Sequence, residues 1–199
     1  MHEGLFIVIY GINNIGKSTQ VEMLLEALEK AQLKVEHLKY PIYDLQPTGP
    51  KINEILRSGG KQNISEEELQ ELYAQNRRDF QPQLCKKINE SVNIIAEDYI
   101  GTGLAWGLTK GASLAKLIKM NKGLVKPDIE ILLDGERFLD GQEENHLHEE
   151  NDEWLDKCRQ NFLKLAAKFS WETVNANQEP EEVHQGILKI VERKTKEFE

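Results

Sequence analysis

The first clear feature of the chain is an almost unbroken apolar run near its start, Leu5-Phe6-Ile7-Val8-Ile9-Tyr10. An apolar run without alternation is typical of a strand that is covered on both faces, as in a parallel sheet. Val21, Leu24, Leu25 and Leu28 then recur at helical spacing, so a helix is predicted to follow. The pattern therefore predicts a buried strand, a short connection and a helix.

Later segments of the chain also have the length and apolar content of buried strands. Pro41 follows the second of these strands and predicts a loop there. The later strands are predicted at 34–39, 92–98, 128–134 and 171–175.

Between these strands, apolar residues recur at helical spacing. Ser65 and Glu68 form a capping box that opens a long helix, which Pro82 is expected to kink or interrupt. Other helices are predicted at 49–58, 113–120, 153–168 and 180–196, and a further helical stretch follows Gly101 and Gly103 and runs through Trp106. The alternation predicts an α/β fold, a doubly wound five-stranded parallel sheet flanked by helices. We expect a single domain over 1–199, with its ligand at the carboxyl ends of the strands.

The connection after the first strand carries the most specific motif. It reads Gly11-Ile12-Asn13-Asn14-Ile15-Gly16-Lys17-Ser18-Thr19, which is a phosphate-binding loop in its strand–loop–helix context. Backbone N–H groups and the helix start would face the phosphates. Lys17 would reach the outer phosphates, and the Ser18 hydroxyl would bind Mg²⁺. The motif predicts that the protein binds a nucleoside triphosphate, and we call residues 11–19 the phosphate loop.

Charge and cysteine content narrow the partners and the compartment. The formal net charge is −9, which disfavours nucleic acid and anionic membranes as partners. Cys85 and Cys158 lack metal-type spacing and are expected to be free thiols in a reducing compartment. No apolar segment approaches membrane-spanning length, so we expect a cytoplasmic protein.

An ordered set of motifs resembles thymidylate kinase, a P-loop nucleoside monophosphate kinase, along nearly the whole chain. The set consists of 11–20, Lys39-Tyr40-Pro41, 73–77, 97–107, Lys126-Pro127-Asp128, 174–177 and 181–184. The resemblance implies phosphorylation of dTMP to dTDP with ATP and Mg²⁺, and it implies a homodimer.

The resemblance also implies an acceptor pocket around the long helix. Tyr73 and Arg77 lie four residues apart and share a helix face; Tyr73 would stack on thymine and Arg77 would donate to it. A core-edge tyrosine beside a solvated arginine is the alternative. Trp106 would crowd a ribose 2′-hydroxyl or serve as a buried structural residue. The expected acceptor residues are Tyr43, Tyr73, Arg77, Asp98, Tyr99, Gly103 and Trp106.

On the donor side, the resemblance assigns Mg²⁺ to Ser18 and Glu97, and it assigns adenine to Asn175-Ala176-Asn177. Residues 135–151 correspond to the lid of the family, in which Arg137 would join Lys17 and Glu97 in catalysis. His146 and His148 in this acidic segment indicate either a weak metal site or incidental solvated histidines.

Several positions depart from the family pattern. Asp98 stands where the family has arginine, and Ile42-Tyr43 replace another arginine expected at the acceptor phosphate. Asn13-Asn14 and Tyr10 replace acidic residues. Because lost carboxylates accompany a lost arginine, we hypothesise a rewired charge balance in which Asp98 works alongside Tyr10 and Asn13.

These departures keep two other functions open. A deoxynucleoside kinase would need a carboxylate base, for which Glu97 and Asp44 are candidates, and its neutral acceptor would need no phosphate-binding arginines. A catalytically weak nucleotide-binding protein is the other alternative. Between Glu97 and Asp98, alternation along a strand predicts that only one side chain faces the nucleotide.

Overall fold

The computed structural model describes residues 3–57, 64–138 and 152–197. Strands and helices alternate along them as the sequence pattern predicts. The elements are β1 Phe6–Tyr10, α1 Lys17–Lys30, β2 Val35–Lys39, α2 Thr48–Arg57, α3 Glu66–Asn89, β3 Asn93–Glu97, α4 Ile100–Thr109, α5 Leu114–Met120, β4 Ile129–Asp134, α6 Asp152–Phe169, β5 Glu172–Asn175 and α7 Pro180–Glu197.

The strands form one parallel sheet in the order β2-β3-β1-β4-β5. Strand β1 lies at the centre, and each of its residues is buried, because helices cover both faces of the sheet. Helix α1 packs against α7, and α4 packs against α6. The predicted doubly wound α/β fold is confirmed, and the phosphate loop leaves the central strand at the carboxyl edge of the sheet.

Aromatic side chains fill the core beside the central strand. The ring of Tyr10 lies 4.5 Å from that of Trp171 and 6.5 Å from that of Phe162, centroid to centroid. The Phe6 ring meets Tyr99 edge-on at 5.1 Å. These contacts fix the ends of β1 and β3, from which the phosphate loop and the segment at Asp98 extend.

Helix α3 confirms one prediction and corrects another. The Ser65–Glu68 capping box forms at its start. The expected interruption at Pro82 is wrong, since the helix runs without a break to Asn89. Contacts on either side of Pro82 hold the helix in place: Gln81 Oε1 accepts a hydrogen bond from Val125 N at 2.8 Å, and the Leu84 side chain is fully buried. Tertiary packing thus outweighs the cost of the missing backbone donor.

Most of the predicted lid, residues 139–151 with His146 and His148, lies outside the described residues. Among those that are described, no helix combines the length and apolar character needed to cross a membrane. Cys85 and Cys158 are free thiols, as expected.

Candidate active site

The phosphate loop adopts a backbone conformation that requires glycine at Gly16. Gly16 precedes helix α1 with φ of 87°, a left-handed conformation that side chains disfavour. It has no side chain to cap the first turn of α1, so the N–H groups of that turn remain for an anion. Lys17 Nζ folds over the loop and donates to the carbonyls of Gly11 at 3.1 Å and Ile12 at 3.0 Å. The loop is therefore arranged to hold phosphate oxygens.

A cavity of about 550 Å³ opens beside this loop. All the predicted acceptor residues line it, together with Glu97 and with Asn13, Asn14 and Gly16 to Thr19 of the phosphate loop. Ile12 and Ile15 are instead buried in the core, and Gly11 packs against Leu133. The structure thus joins the predicted acceptor residues, Glu97 and most of the phosphate loop around one space.

Both carboxylates at the end of β3 face this cavity, and the prediction that only one would do so is wrong. The strand ends at Glu97, and Asp98 adopts φ of 64°. Alternation of side chains holds only while the backbone stays extended. The left-handed turn at Asp98 therefore brings its carboxylate beside that of Glu97.

Glu97 links the phosphate loop to the neighbouring strand. It accepts from Ser18 Oγ at 2.9 Å and pairs with Lys39 Nζ at 2.9 Å. Burial alone would raise its pKa, but the hydrogen bond and charge of Lys39 lower the pKa of Glu97 below its usual value. Glu97 is therefore held as a carboxylate.

Asp98 has different partners. Thr102 Oγ1 donates to Asp98 Oδ1 at 2.7 Å, and Lys17 Nζ lies 4.0 Å from Oδ2. Burial raises the pKa of Asp98, and the charge of Lys17 and the Thr102 hydrogen bond offset this only in part. The carboxylate thus sits next to the lysine that would hold phosphate.

Tyr10 does not belong to this charge network, so that part of the rewiring hypothesis is wrong. Its hydroxyl donates to Glu130 Oε1 at 2.9 Å, and its side chain is fully buried against Trp171. The period of two along β1 turns Tyr10 into the core. Asn13 does line the cavity.

The pair of Ser18 and Glu97 fits a magnesium ion. A hydroxyl oxygen and a carboxylate oxygen lie within 2.9 Å of each other, and both are ligands that Mg²⁺ prefers. Across residues 3–57, 64–138 and 152–197, no group of three or more His, Cys, Asp or Glu side chains is placed to hold a metal. This donor set suits an ion that takes its other ligands from phosphates and water.

Arg77 is buried, and the alternative of a solvated arginine is wrong. It exposes 4% of its surface; Nη1 donates to Asn121 Oδ1 at 2.7 Å and Nη2 to the Tyr99 carbonyl at 3.1 Å. Its Nε is buried without a hydrogen-bond partner in the described part of the chain. Tyr73 lines the same cavity. Such a fixed guanidinium can still donate to a ligand, because it carries five N–H groups.

Trp106 and Gly103 lie on α4, opposite Arg77. Trp106 is 7% exposed and lines the cavity, so it is buried, and its crowding of a ribose 2′-hydroxyl stays a prediction. A β-carbon at Gly103 would lie 2.9 Å from Arg77 Nη2. Glycine at position 103 therefore leaves the room that the guanidinium of Arg77 occupies.

Sequence reasoning missed several cavity residues, of which two are cationic. Lys39 ends β2 opposite Glu97 in the parallel register, and Arg57 ends α2; both line the cavity. The rule that ligands bind at carboxyl strand ends would have found Lys39. Arg57 carries no such local signal. Leu56 and Gln70 were missed as well. Tyr40, Pro41, Thr102 and Phe138 also line the cavity and lie in segments that the resemblance had marked without giving them a role.

Some predicted site residues lie outside the lining. Asp44, a candidate base, is exposed and does not line the cavity. Arg137 does not line it either, although its neighbour Phe138 does and donates its N–H to the Asn14 carbonyl at 2.8 Å. The catalytic role of Arg137 stays a prediction.

The segment predicted to hold adenine braces the start of the lid. Asn177 Oδ1 accepts from Glu136 N at 2.6 Å, and Nδ2 donates to the Glu136 carbonyl at 2.8 Å. Asn175 Oδ1 accepts from Asn177 N, and Ala176 N donates to Asp134 O. Because these residues do not line the cavity, their contact with adenine stays a prediction.

Comparisons with known proteins agree with this geometry. Residues 9–187 match the thymidylate kinase family model. A probable thymidylate kinase of Thermococcus gammatolerans is 31% identical over 96% of this chain and 97% of its own. The thymidylate kinase of Dictyostelium discoideum is 28% identical over 98% and 88%, respectively. The solved structure of thymidylate kinase from Candida albicans superposes with a TM-score of 0.83 at 25% identity, covering 97% of this chain and 93% of that one.

Proposed function

The chain belongs to the thymidylate kinase family, and we propose that it transfers the γ-phosphoryl group of ATP to dTMP, forming ADP and dTDP. One observation carries the proposal: a single cavity joins the phosphate loop to a pocket with an aromatic ring and a buried guanidinium. Phosphoryl transfer depends mainly on positioning and on neutralising charge. A cavity that brings the phosphate loop and the acceptor pocket together would meet the first requirement.

At the donor end, we assign the ATP phosphates to the amides of the phosphate loop and to Lys17. Lys17 Nζ now donates to two loop carbonyls and would exchange these for phosphate oxygens. Ser18 and Glu97 would hold Mg²⁺, which neutralises charge on the phosphates when bound. Asn175 to Asn177 for adenine and Arg137 for the transferring group complete the assignment.

At the acceptor end, we assign the base to Tyr73 and Arg77, the sugar to Trp106, and the phosphate to Lys39 and Arg57. A monophosphate needs cations, and neither position 43 nor position 98 carries the arginine of the family. Lys39 and Arg57 line the cavity and would supply the charge instead.

A deoxynucleoside kinase is the second candidate, because Asp98 brings a second carboxylate to the cavity beside Glu97. Glu97 is engaged by Ser18 and Lys39, and Asp98 by Thr102 and Lys17, so either carboxylate would exchange a partner to take the proton of a sugar hydroxyl. A neutral acceptor would also remove the need for phosphate-binding arginines.

Acceptor screening with labelled ATP separates these functions. We expect dTDP from dTMP, little product from thymidine, and only slow ATP hydrolysis without an acceptor. A preference for thymidine would establish the second candidate, and no transfer to either would indicate a nucleotide-binding protein without kinase activity.

Substitutions at the two cations test the phosphate assignment. Lys39→Ala and Arg57→Ala should each weaken dTMP binding by about 10-fold, the scale of a lost charged hydrogen bond. Binding of thymidine should change little, because it has no phosphate. Arg193→Ala, at the exposed end of α7, is the matched control. Equal losses for dTMP and thymidine would contradict the assignment.

The homodimer also stays a prediction, which sedimentation equilibrium would test.

A further inference from the structure

Gln70 is a buried polar side chain in the cavity that the mechanism above does not use. It lies on α3, seven residues before Arg77 and on the same face, and exposes 4% of its surface. A β-carbon at Gly103 would lie 2.7 Å from Gln70 Oε1 and 2.9 Å from Arg77 Nη2. Both polar atoms therefore pack against Gly103 of α4, where a side chain would collide with them.

A hydrogen bond to Glu66 fixes the orientation of the Gln70 side-chain amide. Its Nε2 donates to Glu66 Oε1 at 2.7 Å, and Glu66 pairs with Lys110 at 3.5 Å, with both side chains largely buried. A carboxylate can only accept hydrogen bonds. Glu66 therefore holds the amide nitrogen away from Gly103, and the amide oxygen remains beside Arg77.

The result is an acceptor next to a donor at the base end of the cavity. Thymine and uracil present the complementary pair, an N3–H donor beside a carbonyl oxygen. Cytosine has an unprotonated N3, whose lone pair would face the lone pairs of Gln70 Oε1. We propose that Gln70 accepts a hydrogen bond from N3–H of the acceptor base, and that Glu66, as a positioning residue, makes this contact exclude cytosine.

This inference rests on the proposed function only in requiring a pyrimidine nucleotide in the acceptor pocket. It assigns base selectivity to a relay of three side chains, in which Lys110 pairs with Glu66 and Gln70 donates a hydrogen bond to Glu66. It also predicts that the relay treats thymine and uracil alike, because it does not touch the 5-methyl group.

Calorimetric binding of dTMP, dUMP and dCMP to the full chain and its variants tests the inference without depending on turnover. Gln70→Met keeps the size of the side chain and removes the acceptor. We expect it to weaken dTMP and dUMP by the same factor, about 10-fold, and to leave dCMP unchanged or tighter.

Glu66→Gln tests the positioning step. A glutamine at 66 can accept or donate, so the Gln70 amide can turn and offer its N–H to cytosine N3. We expect dCMP to gain about 5-fold relative to dTMP. Glu67→Gln makes the same charge change at a more exposed neighbour that pairs with Lys116 and should change no ratio.

Three results would overturn the inference: equal weakening of all three nucleotides by Gln70→Met, an unchanged ratio in Glu66→Gln, or no binding of dTMP and dUMP to the wild-type chain. If the wild-type chain binds dTMP with the expected variant pattern but does not phosphorylate it, the inference stands and the proposed kinase activity fails.

Discussion

The two ends of the cavity are built in different ways. At the donor end, the backbone of the phosphate loop and the start of α1, which has no side-chain cap, leave N–H groups available for an anion, and Lys17 donates to loop carbonyls. At the acceptor end, side chains from separate helices hold one another: Arg77 bonds to Asn121 and to the Tyr99 carbonyl, and Gln70 bonds to Glu66.

The difference shows which substitutions this chain has tolerated. The donor end keeps the glycines, Lys17 and Ser18 of the phosphate-loop motif and departs from the family pattern at Asn13-Asn14. The middle and acceptor parts depart from it at Asp98 and at Ile42-Tyr43, which replace arginines. Lys17, Lys39, Glu97 and Asp98 now form a compact group of opposite charges between the two ends.

The largest effect should come from the donor end. Lys17→Ala should lower kcat for dTMP phosphorylation by at least about 100-fold, the scale for a lost charge-stabilising donor, while circular dichroism shows an intact fold. Lys30→Ala, at the exposed end of α1, is the control and should leave kcat unchanged. A variant at position 17 with wild-type turnover would mean that this loop does not bind the reacting phosphates.

The next largest effect should come from the charge group between the ends. Asp98→Arg removes the partner of Thr102 and places a further cation beside Lys17. We expect kcat/KM for dTMP to fall by about 10-fold, the scale of a lost hydrogen bond to a charged group. Asp98→Asn, which keeps the shape, separates the loss of charge from the added cation.

A second variant sharpens this test. Tyr10 faces the core, so adding Tyr10→Glu to Asp98→Arg should not recover activity. Asn13 lines the cavity, so adding Asn13→Asp to Asp98→Arg should recover part of the activity. Such coupling is expected for groups that share one network. A clear gain of activity from Asp98→Arg alone would instead indicate that the chain has lost a catalytic arginine.

A smaller effect is expected at the acceptor sugar. Trp106→Ala should reduce the preference for dTMP over 5-methyl-UMP by about 5-fold, since removing an apolar wall opens space at the 2′ position. The kcat/KM ratio of the two nucleotides is the measurement. Trp154→Ala, at a more exposed position on α6, should leave the ratio as it is. If both variants behave alike, Trp106 only supports the fold.

The smallest effect should lie outside the cavity, at the pair of Tyr10 and Glu130. Burial raises the pKa of Glu130 above its usual value, against the hydrogen bond from Tyr10. Because its pKa is raised in the folded state, protonated Glu130 stabilises the fold, and this contribution is fully present below the pKa of the unfolded state. The contribution is lost as pH rises through the pKa of the folded state. Glu130→Gln should therefore raise Tm by a few degrees at neutral pH, and the gain should vanish in acid. Thermal unfolding from pH 4 to 8 measures this; Glu22→Gln, exposed on α1, is the control.

The contrast between the two ends also explains which features of the protein could be predicted from the sequence. Predicted elements matched the observed ones closely, and the capping box at Ser65 marked the start of α3. The phosphate loop was recognisable because its function depends on residues that are consecutive in the chain. The group around Asp98 was misjudged because alternation was carried one residue past the end of β3.

The sequence alone determined the order of strands and helices along the chain and the phosphate loop, since these follow from local spacing and from consecutive residues. The ordered motifs also predicted the acceptor residues that line the cavity, but not Lys39, Arg57 or Gln70 beside them. Only the tertiary structure decided that Arg77 is buried, that Tyr10 points into the core, and that α3 continues through Pro82. It also decided that Lys39 meets Glu97 and that Glu66 orients Gln70. Each of these outcomes depends on atoms from elements that are distant in the chain, and packing and hydrogen bonding between such elements leave no periodic trace in the sequence.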